Sequence, residues 1–293
     1  MIVLLVVSTL LFVLLHLTGD PASTLAGPDA PAATVAAIRT QLGLDQPIWV
    51  QYLVFLRGLV TLDFGNSLRS SVPALPLVLA RLPYTLLLAS VGLLLTAAFS
   101  LAVGVWLADR QGSRRAGLVL GLVVLAQGIP GYVIGLLLIL LLAVRLRIFP
   151  VFGAESPLAL VLPAITLASY LSPKVTRLTR TAAIAVLKED YVRAGRAKGV
   201  GRRRLLWRYV LRNSIAVVST VLTLQLAQLM GGAIIVEAVF AWPGMGSLVV
   251  DSVLGNDFPV VQAAVFVVAV LVVAINLLFD LLLPRLDPRL VPA

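Results

Sequence analysis

The sequence has no cysteine, one histidine, and only 13 acidic residues against 23 Lys and Arg; charged residues make up 12% of the chain. Without cysteine there are no disulfides, thiol nucleophiles or thiolate metal sites. The single His16 cannot supply an imidazole cluster, and its place near the end of an apolar run marks it as a boundary residue. No Asp, Glu or His cluster interrupts the apolar runs, so none of them builds a cage for a bare cation, and no metal site is expected. No GxxxxGK[ST] string is present, so the chain has no such loop to cradle ATP. The low charge argues against an ordinary soluble domain, where about a quarter of residues are charged.

What is abundant is apolar surface: 60% of residues are hydrophobic and the mean hydropathy is +1.05. A bilayer core of about 30 Å needs roughly 20 apolar residues in a helix. Six stretches without Asp, Glu, Lys or Arg reach or approach that length: Met1–Gly19, Leu82–Ala108, Ala116–Val144, Ser156–Pro173, Asn213–Val236 and Phe258–Phe279. The expectation is an all-α polytopic membrane protein with six spans. Met1–Gly19 reads as a retained span, because its apolar run exceeds a usual signal core and no basic segment precedes it.

Charge orients the chain. Lys174–Arg212 carries twelve basic residues and "DRQGSRR" carries three Arg, whereas Glu237–Asp257 carries none and has three acids. The positive-inside rule places the first two segments in the cytoplasm, with both termini. The formal charge of +10 does not imply a nucleic-acid partner. Basic flanks are what orientation requires, and no aromatic-interleaved base platform appears.

The expected organisation is a first span at 1–17, an extracytoplasmic segment at 18–81, a core of spans two to six at 82–283, and a cytoplasmic tail at 284–293. In the extracytoplasmic segment, Ala32–Leu42 reads as an amphipathic helix. Trp49, Tyr52 and Phe55 recur on one helical face, suiting either an interfacial or a packed helix. "DFGNSL" and "VPALP" read as turns. Pro83 is expected in the first turn of span two. Pro130, between Gly128 and Gly131, is expected to bend span three, as a path lining or a packing bend.

The densest polar run is "KEDYVRAGRAKGVGRRRLLWRYVLRNS". Ala182–Ala197 reads as a helix with Glu189 and Arg193 at i, i+4. "KGVG" breaks it, and a second helix follows with an apolar stripe at Leu205, Leu206, Tyr209 and Val210. The block, about 182–212, therefore reads as helix–turn–helix. Its small residues, Ala194, Gly195 and Ala197, allow close approach, and Arg193, Arg196 and Lys198 flank them. That composition suits either a docking surface or a solvated loop that sets topology.

At these residues the sequence resembles the inner-membrane permease subunits of ATP-binding-cassette importers, in the dipeptide/oligopeptide/nickel branch. "YVRAGRAKGVG" is similar to that family's cytoplasmic EAA loop, with the first three positions at Arg193, Ala194 and Gly195 and the glycine at Gly199. It departs by Arg for Glu and Gly for the second Ala, and "YVLR" replaces the usual Ile-x-Leu-Pro ending. "EAVFAWPGMG", "NDFPVVQAAVF", "GDPA", "LGLDQPIWVQYL", "DFGNSL" and the closing "DPR" resemble the first of the branch's two permease types. The short basic segment usual ahead of span one does not precede Met1.

The resemblance implies a non-catalytic subunit that forms a pathway with a sister permease. Two ATPases would dock below it, with ATP and Mg held by them and no cofactor on this chain, and an extracytoplasmic solute-binding protein would deliver cargo above. It implies ATPase coupling through Tyr191, Arg193, Ala194, Gly195, Ala197, Lys198 and Gly199. In the outer loop, about 237–257, it implies gating or binding-protein contact by Glu237, Phe240, Trp242, Pro243 and Gly244. For Glu237, helix capping or pairing with Arg81 stays open, and "FAWPGMG" reads as a turn with an interfacial Trp242. Gln127, Gln225, Gln228 and Asn276 either bond neighbouring helices or line the pathway. The uncharged lining favours short peptides over nickel or a metal chelate. An ion-coupled secondary transporter would need intramembrane ionisable groups, which the spans nearly lack.

Overall fold

The computed structural model describes residues 6, 8–10, 12, 13, 21–27, 30–41 and 43–286. Most of the first span, His16 and most of the C-terminal tail lie outside the described residues. The helices are α1 (Pro21–Ala26), α2 (Ala32–Gln41), α3 (Ile48–Thr61), α4 (Ala74–Asp109), α5 (Arg114–Gln127) and α6 (Gly131–Leu138, continued by a π-helical turn to Arg145). After a 3-10 turn at Pro157–Leu160 come α7 (Val161–Leu187), α8 (Asp190–Ala197), α9 (Arg202–Leu205, continued by a π-helical turn at Leu206–Leu211), α10 (Arg212–Val239), α11 (Met245–Leu254) and α12 (Phe258–Leu286). Apart from one isolated bridge, Asn66 to Pro73, the described residues form no strand pairing.

Among the described residues, Ala74–Asp109, Pro157–Leu187 and Phe258–Leu278 are each long and apolar enough to cross a bilayer. Arg114–Gln127 and Gly131–Arg145 qualify together, but they meet at 103°. Span three is thus broken, where a bent span was expected. Pro130 supplies no N–H and stands as the N-cap of α6, so the ladder stops at Gly128 and restarts at Gly131. Span two also differs from expectation. Its helix begins at Ala74, immediately after Pro73, so "VPALP" opens the helix and Pro83 lies in its interior. Span four runs well past its apolar stretch, to Leu187, with Pro173 inside.

The chain divides into two compact units. The first comprises Met1–Thr85 and Pro243–Val273. Its core joins Ala74 and Val78 of α4 to Met245, Val260, Ala263 and Ala264. Buried Asp257 pins the segment before α4: its carboxylate accepts from the Ser67 hydroxyl and from the Leu68 N–H at 3.0 Å. Tyr52 and Phe55 pack against Phe12, while Trp49 remains exposed, so only part of the aromatic face is packed. The helix expected at Ala32–Leu42 is α2, and none of its residues is buried; Leu42 lies outside the described residues.

The second unit comprises Leu86–Trp242 and Ala274–Ala293. Its centre is α7, packed between α4 and α10. Gly92, Thr96, Ser100 and Gly104 recur every four residues and give α4 a narrow ridge. A Cβ on Gly92 would lie 2.9 Å from Leu167 Cδ2, and one on Gly104 would lie 2.6 Å from Thr179 Cβ. Ser100 donates to the Ser172 carbonyl at 3.3 Å and accepts from Thr176 Oγ1 at 3.2 Å. Small residues bring the helices together, and the hydroxyls are satisfied in the close approach.

Candidate functional site

The polar run folds into an elbow between α7 and α10. The helix expected at Ala182–Ala197 is two helices. α7 ends at Leu187, and Glu189 has the extended backbone of an N-cap, opening α8 at Asp190. Asp190 suits the first turn and Arg196 the last, each complementing the helix dipole. Because the helix restarts there, Arg193 pairs with Asp190 at i, i+3, where the pair expected was Glu189 at i, i+4.

The turn after α8 explains its glycine. Gly199 has φ +75, its N–H donates to the Arg196 carbonyl, and the Val200 N–H donates to the Gly195 carbonyl. This is a Schellman closure, with glycine at the left-handed position. It turns the chain into α9, which runs unbroken through its π-helical turn into α10. The second arm of the elbow is therefore continuous with α10, the helix that covers the expected fifth span.

A small core fixes the elbow: Val105 and Ala108 of α4, Ala183 of α7, Val192 of α8, and Leu205 and Val210. Leu206 and Tyr209 pack around it, so the predicted stripe at Leu205, Leu206, Tyr209 and Val210 is the inner face. Arg202 reaches back to Asp109 at the end of α4, with Nε 3.0 Å from both carboxylate oxygens. The hydrogen bond and charge of Asp109 raise the Arg202 pKa above its ordinary value.

The elbow residues divide between two faces. Val192 and Gly195 are buried, and a Cβ on Gly195 would sit 3.7 Å from Leu205 Cδ1. Tyr191, Arg193, Ala194, Ala197, Lys198 and Gly199 are exposed. Tyr191 stacks on Tyr209 with ring centroids 6.4 Å apart. The free face of α8 is thus a pair of alanines framed by Arg193, Arg196 and Lys198, and Gly195 faces the chain's own core.

Beyond α10 the chain turns sharply. Ala241 has φ +46, and the Trp242 N–H donates to the Glu237 carbonyl at 2.8 Å. Glu237, Phe240 and Trp242 are all buried. Trp242, expected at an interface, is folded by this turn into the main core. Phe240 packs on the α6 glycine, where a Gly135 Cβ would lie 3.1 Å from its ring. Pro243 is half-buried, and Gly244 is the extended N-cap of α11.

Of the expected lining residues, Gln127 and Asn276 are exposed. Gln225 is buried, and its Oε1 has no hydrogen-bond partner among the described residues. The Gln228 side chain lies outside what the structure describes. None of the described three lines the cavity beside the break in span three. That cavity, of about 540 Å³, is bounded by Pro130, Tyr132, Thr166, Tyr170, Gly231 and Gly232, among others.

Two family models together match nearly the whole chain: "Binding-protein-dependent transport system inner membrane component" over residues 100–292, and its N-terminal counterpart over residues 1–89. The chain belongs to this family of binding-protein-dependent inner-membrane permeases. Curated relatives of the permease include the glutathione transport system permease protein GsiC of Salmonella paratyphi A, 38% identical over 98% of this chain and 94% of the relative. The GsiC of Escherichia coli K12 is 37% identical over the same shares. In fold, the permease is similar to the inward-facing MetNI methionine ABC transporter, with TM-score 0.60, 20% identity, and 72% of this chain and 96% of that chain covered. It is also similar to an amino acid ABC transporter, with TM-score 0.52, 18% identity, and coverages of 72% and 94%. The permease is thus a multi-pass subunit of an ABC importer.

Sequence reasoning on the permease missed three things. The Asp109–Arg202 bond joins residues far apart in sequence, and the elbow core that sets Leu205 and Val210 with Val105 and Ala108 lies beside it. The inward face of Gly195 was hidden because the break at Lys188–Glu189 resets the helical register. The tyrosine-lined cavity left no signal except the glycine pair in span five, which could have pointed to it.

Proposed function

We propose that the permease imports short peptides, forming the pathway with a sister permease and taking cargo from an extracytoplasmic solute-binding protein. Two partner ATPases bind and hydrolyse ATP with Mg, and this chain does no chemistry on its cargo. The basic blocks lie in the cytoplasm with both termini, and the Glu237–Gly244 turn lies at the outer face. The curated relatives support the cargo class, since they are permeases of a glutathione system and glutathione is itself a short peptide. Uncharged, tyrosine- and glycine-lined space beside the broken span suits a peptide of variable side chains.

One observation carries the reading: α8 presents the exposed Ala194 and Ala197 on an elbow whose core joins it to α4, α7 and α9, the helix that continues into α10. An ATPase that grips the alanines moves three spans at once, and the cationic rim orients the encounter. Gly199 and the Tyr191–Tyr209 stack hold the angle of the lever.

Ala194→Trp tests this directly, because its side chain points away from the elbow core. Membrane insertion is expected to persist, while ATPase co-purification and uptake of a labelled tripeptide are lost. Normal uptake by that variant would overturn the assignment. Gly195→Trp is the contrasting change, since it would strike Leu205 and damage the elbow from within.

A further inference from the structure

The second arm of the elbow carries a face that the coupling reading does not use. Arg203, Arg204, Trp207 and Arg208 are all exposed, and Trp207 is 63% exposed. Gly201, Arg202, Arg203, Arg204 and Trp207 bound a shallow depression of about 830 Å³. Arg202 is engaged by Asp109. Among the described residues, Arg203, Arg204 and Arg208 make no ion pair and no side-chain hydrogen bond. No acidic residue occurs between Asp190 and Glu237, so this arm carries no counter-charge of its own.

We propose that this face binds the headgroup of an anionic phospholipid at the inner surface of the bilayer. The inference rests on the reading that the elbow lies on the cytoplasmic side. Direction separates the face from the ATPase-docking face. Leu205 points at α8, where Gly195 lies against it. Arg203 and Trp207, two residues to either side, are turned roughly 160–200° from it, so the indole and guanidinium project away from α8. Continuity with the membrane favours lipid over a protein partner. The same helix becomes span five, and one turn beyond Arg212 the exposed residue is Ile215. A Trp beside unpaired Arg at the head of a span has the composition of an interfacial anchor. Guanidinium groups form paired hydrogen bonds with phosphate, and clustered basic residues at the cytoplasmic surface favour anionic lipid.

The test uses the purified importer assembly in nanodiscs of phosphatidylcholine mixed with phosphatidylglycerol, in which one lipid or the other carries brominated chains. Comparison with Trp207→Phe isolates the Trp207 contribution to fluorescence quenching. Brominated phosphatidylglycerol is expected to quench Trp207 more than brominated phosphatidylcholine does. The excess should fall with added salt and disappear in the R203Q/R204Q/R208Q variant, which should still co-purify with the ATPases. Equal quenching by the two lipids overturns the proposal. So does a Trp207 shielded from both, because protein then covers the face. Gln111→Cys, exposed in the other basic connection and outside the ATPase-docking face, labelled with an impermeant maleimide in right-side-out and inverted vesicles, separates this failure from a failure of the functional reading. Labelling from the inside together with equal quenching discards only the lipid site, whereas labelling from the outside discards both.

Discussion

Gly92 and Gly104 show how single residues set the packing of this permease. Each lies where a Cβ would meet α7 at under 3 Å, so a larger side chain must move a helix. Gly104→Leu is expected to destabilise the fold by about 1–3 kcal/mol or more, seen as a lowered unfolding midpoint in detergent. Gly117→Leu should leave that midpoint unchanged, because nothing lies within 4 Å of its added Cβ. Gly199 matters for conformation instead of space. At φ +75, Gly199→Val costs about 1–2 kcal/mol in a left-handed backbone. Uptake should drop several-fold while insertion persists, and unaltered uptake would count against the turn as a fixed angle. The Gly199 break was legible in the sequence because glycine ends a helix by local chemistry. The α4 ridge was not, since four small residues at equal spacing acquire meaning only when a partner helix is placed against them.

At the scale of elements, the elbow is a lever only if its second arm is continuous with span five. α9 passes through the π-helical turn into α10 without a break, so under the proposed coupling a displacement of the second arm would be transmitted along a helix. A short Gly-Ser insertion after Leu211 should therefore leave ATPase co-purification intact and abolish uptake. If uptake survives the insertion, rigid transmission is wrong. The hydrophobic spacing revealed most of these elements, because apolar runs of bilayer length admit few structures. It misplaced their ends: α4 starts within a proline-containing stretch read as a turn, and α7 runs on past Pro173 and several charges. Helix ends at a membrane surface depend on caps and tertiary contacts, which hydropathy does not record. The break in span three was visible as Pro130, but the contact of α6 with Phe240 and Thr166 at Gly135 was not.

For the molecule as a whole, the absences in composition carried far. Apolar runs of bilayer length in a chain with thin charge pointed to a membrane protein, and the matching family is one of importer inner-membrane permeases. The proposed docking face was half legible. Its alanines and cations were apparent in the sequence, but the inward turn of Gly195 required the fold. The central claim is that force from ATP hydrolysis enters through the exposed face of α8. The absence of native cysteine permits a direct measurement: a single cysteine at Ala197, cross-linked with a short thiol-to-amine reagent in the assembled importer. The account predicts a product joining this chain to an ATPase subunit, with a yield that changes when nucleotide is bound. A residue 197 that reacts only from the outer face, or never joins an ATPase in an assembly that transports, would contradict it.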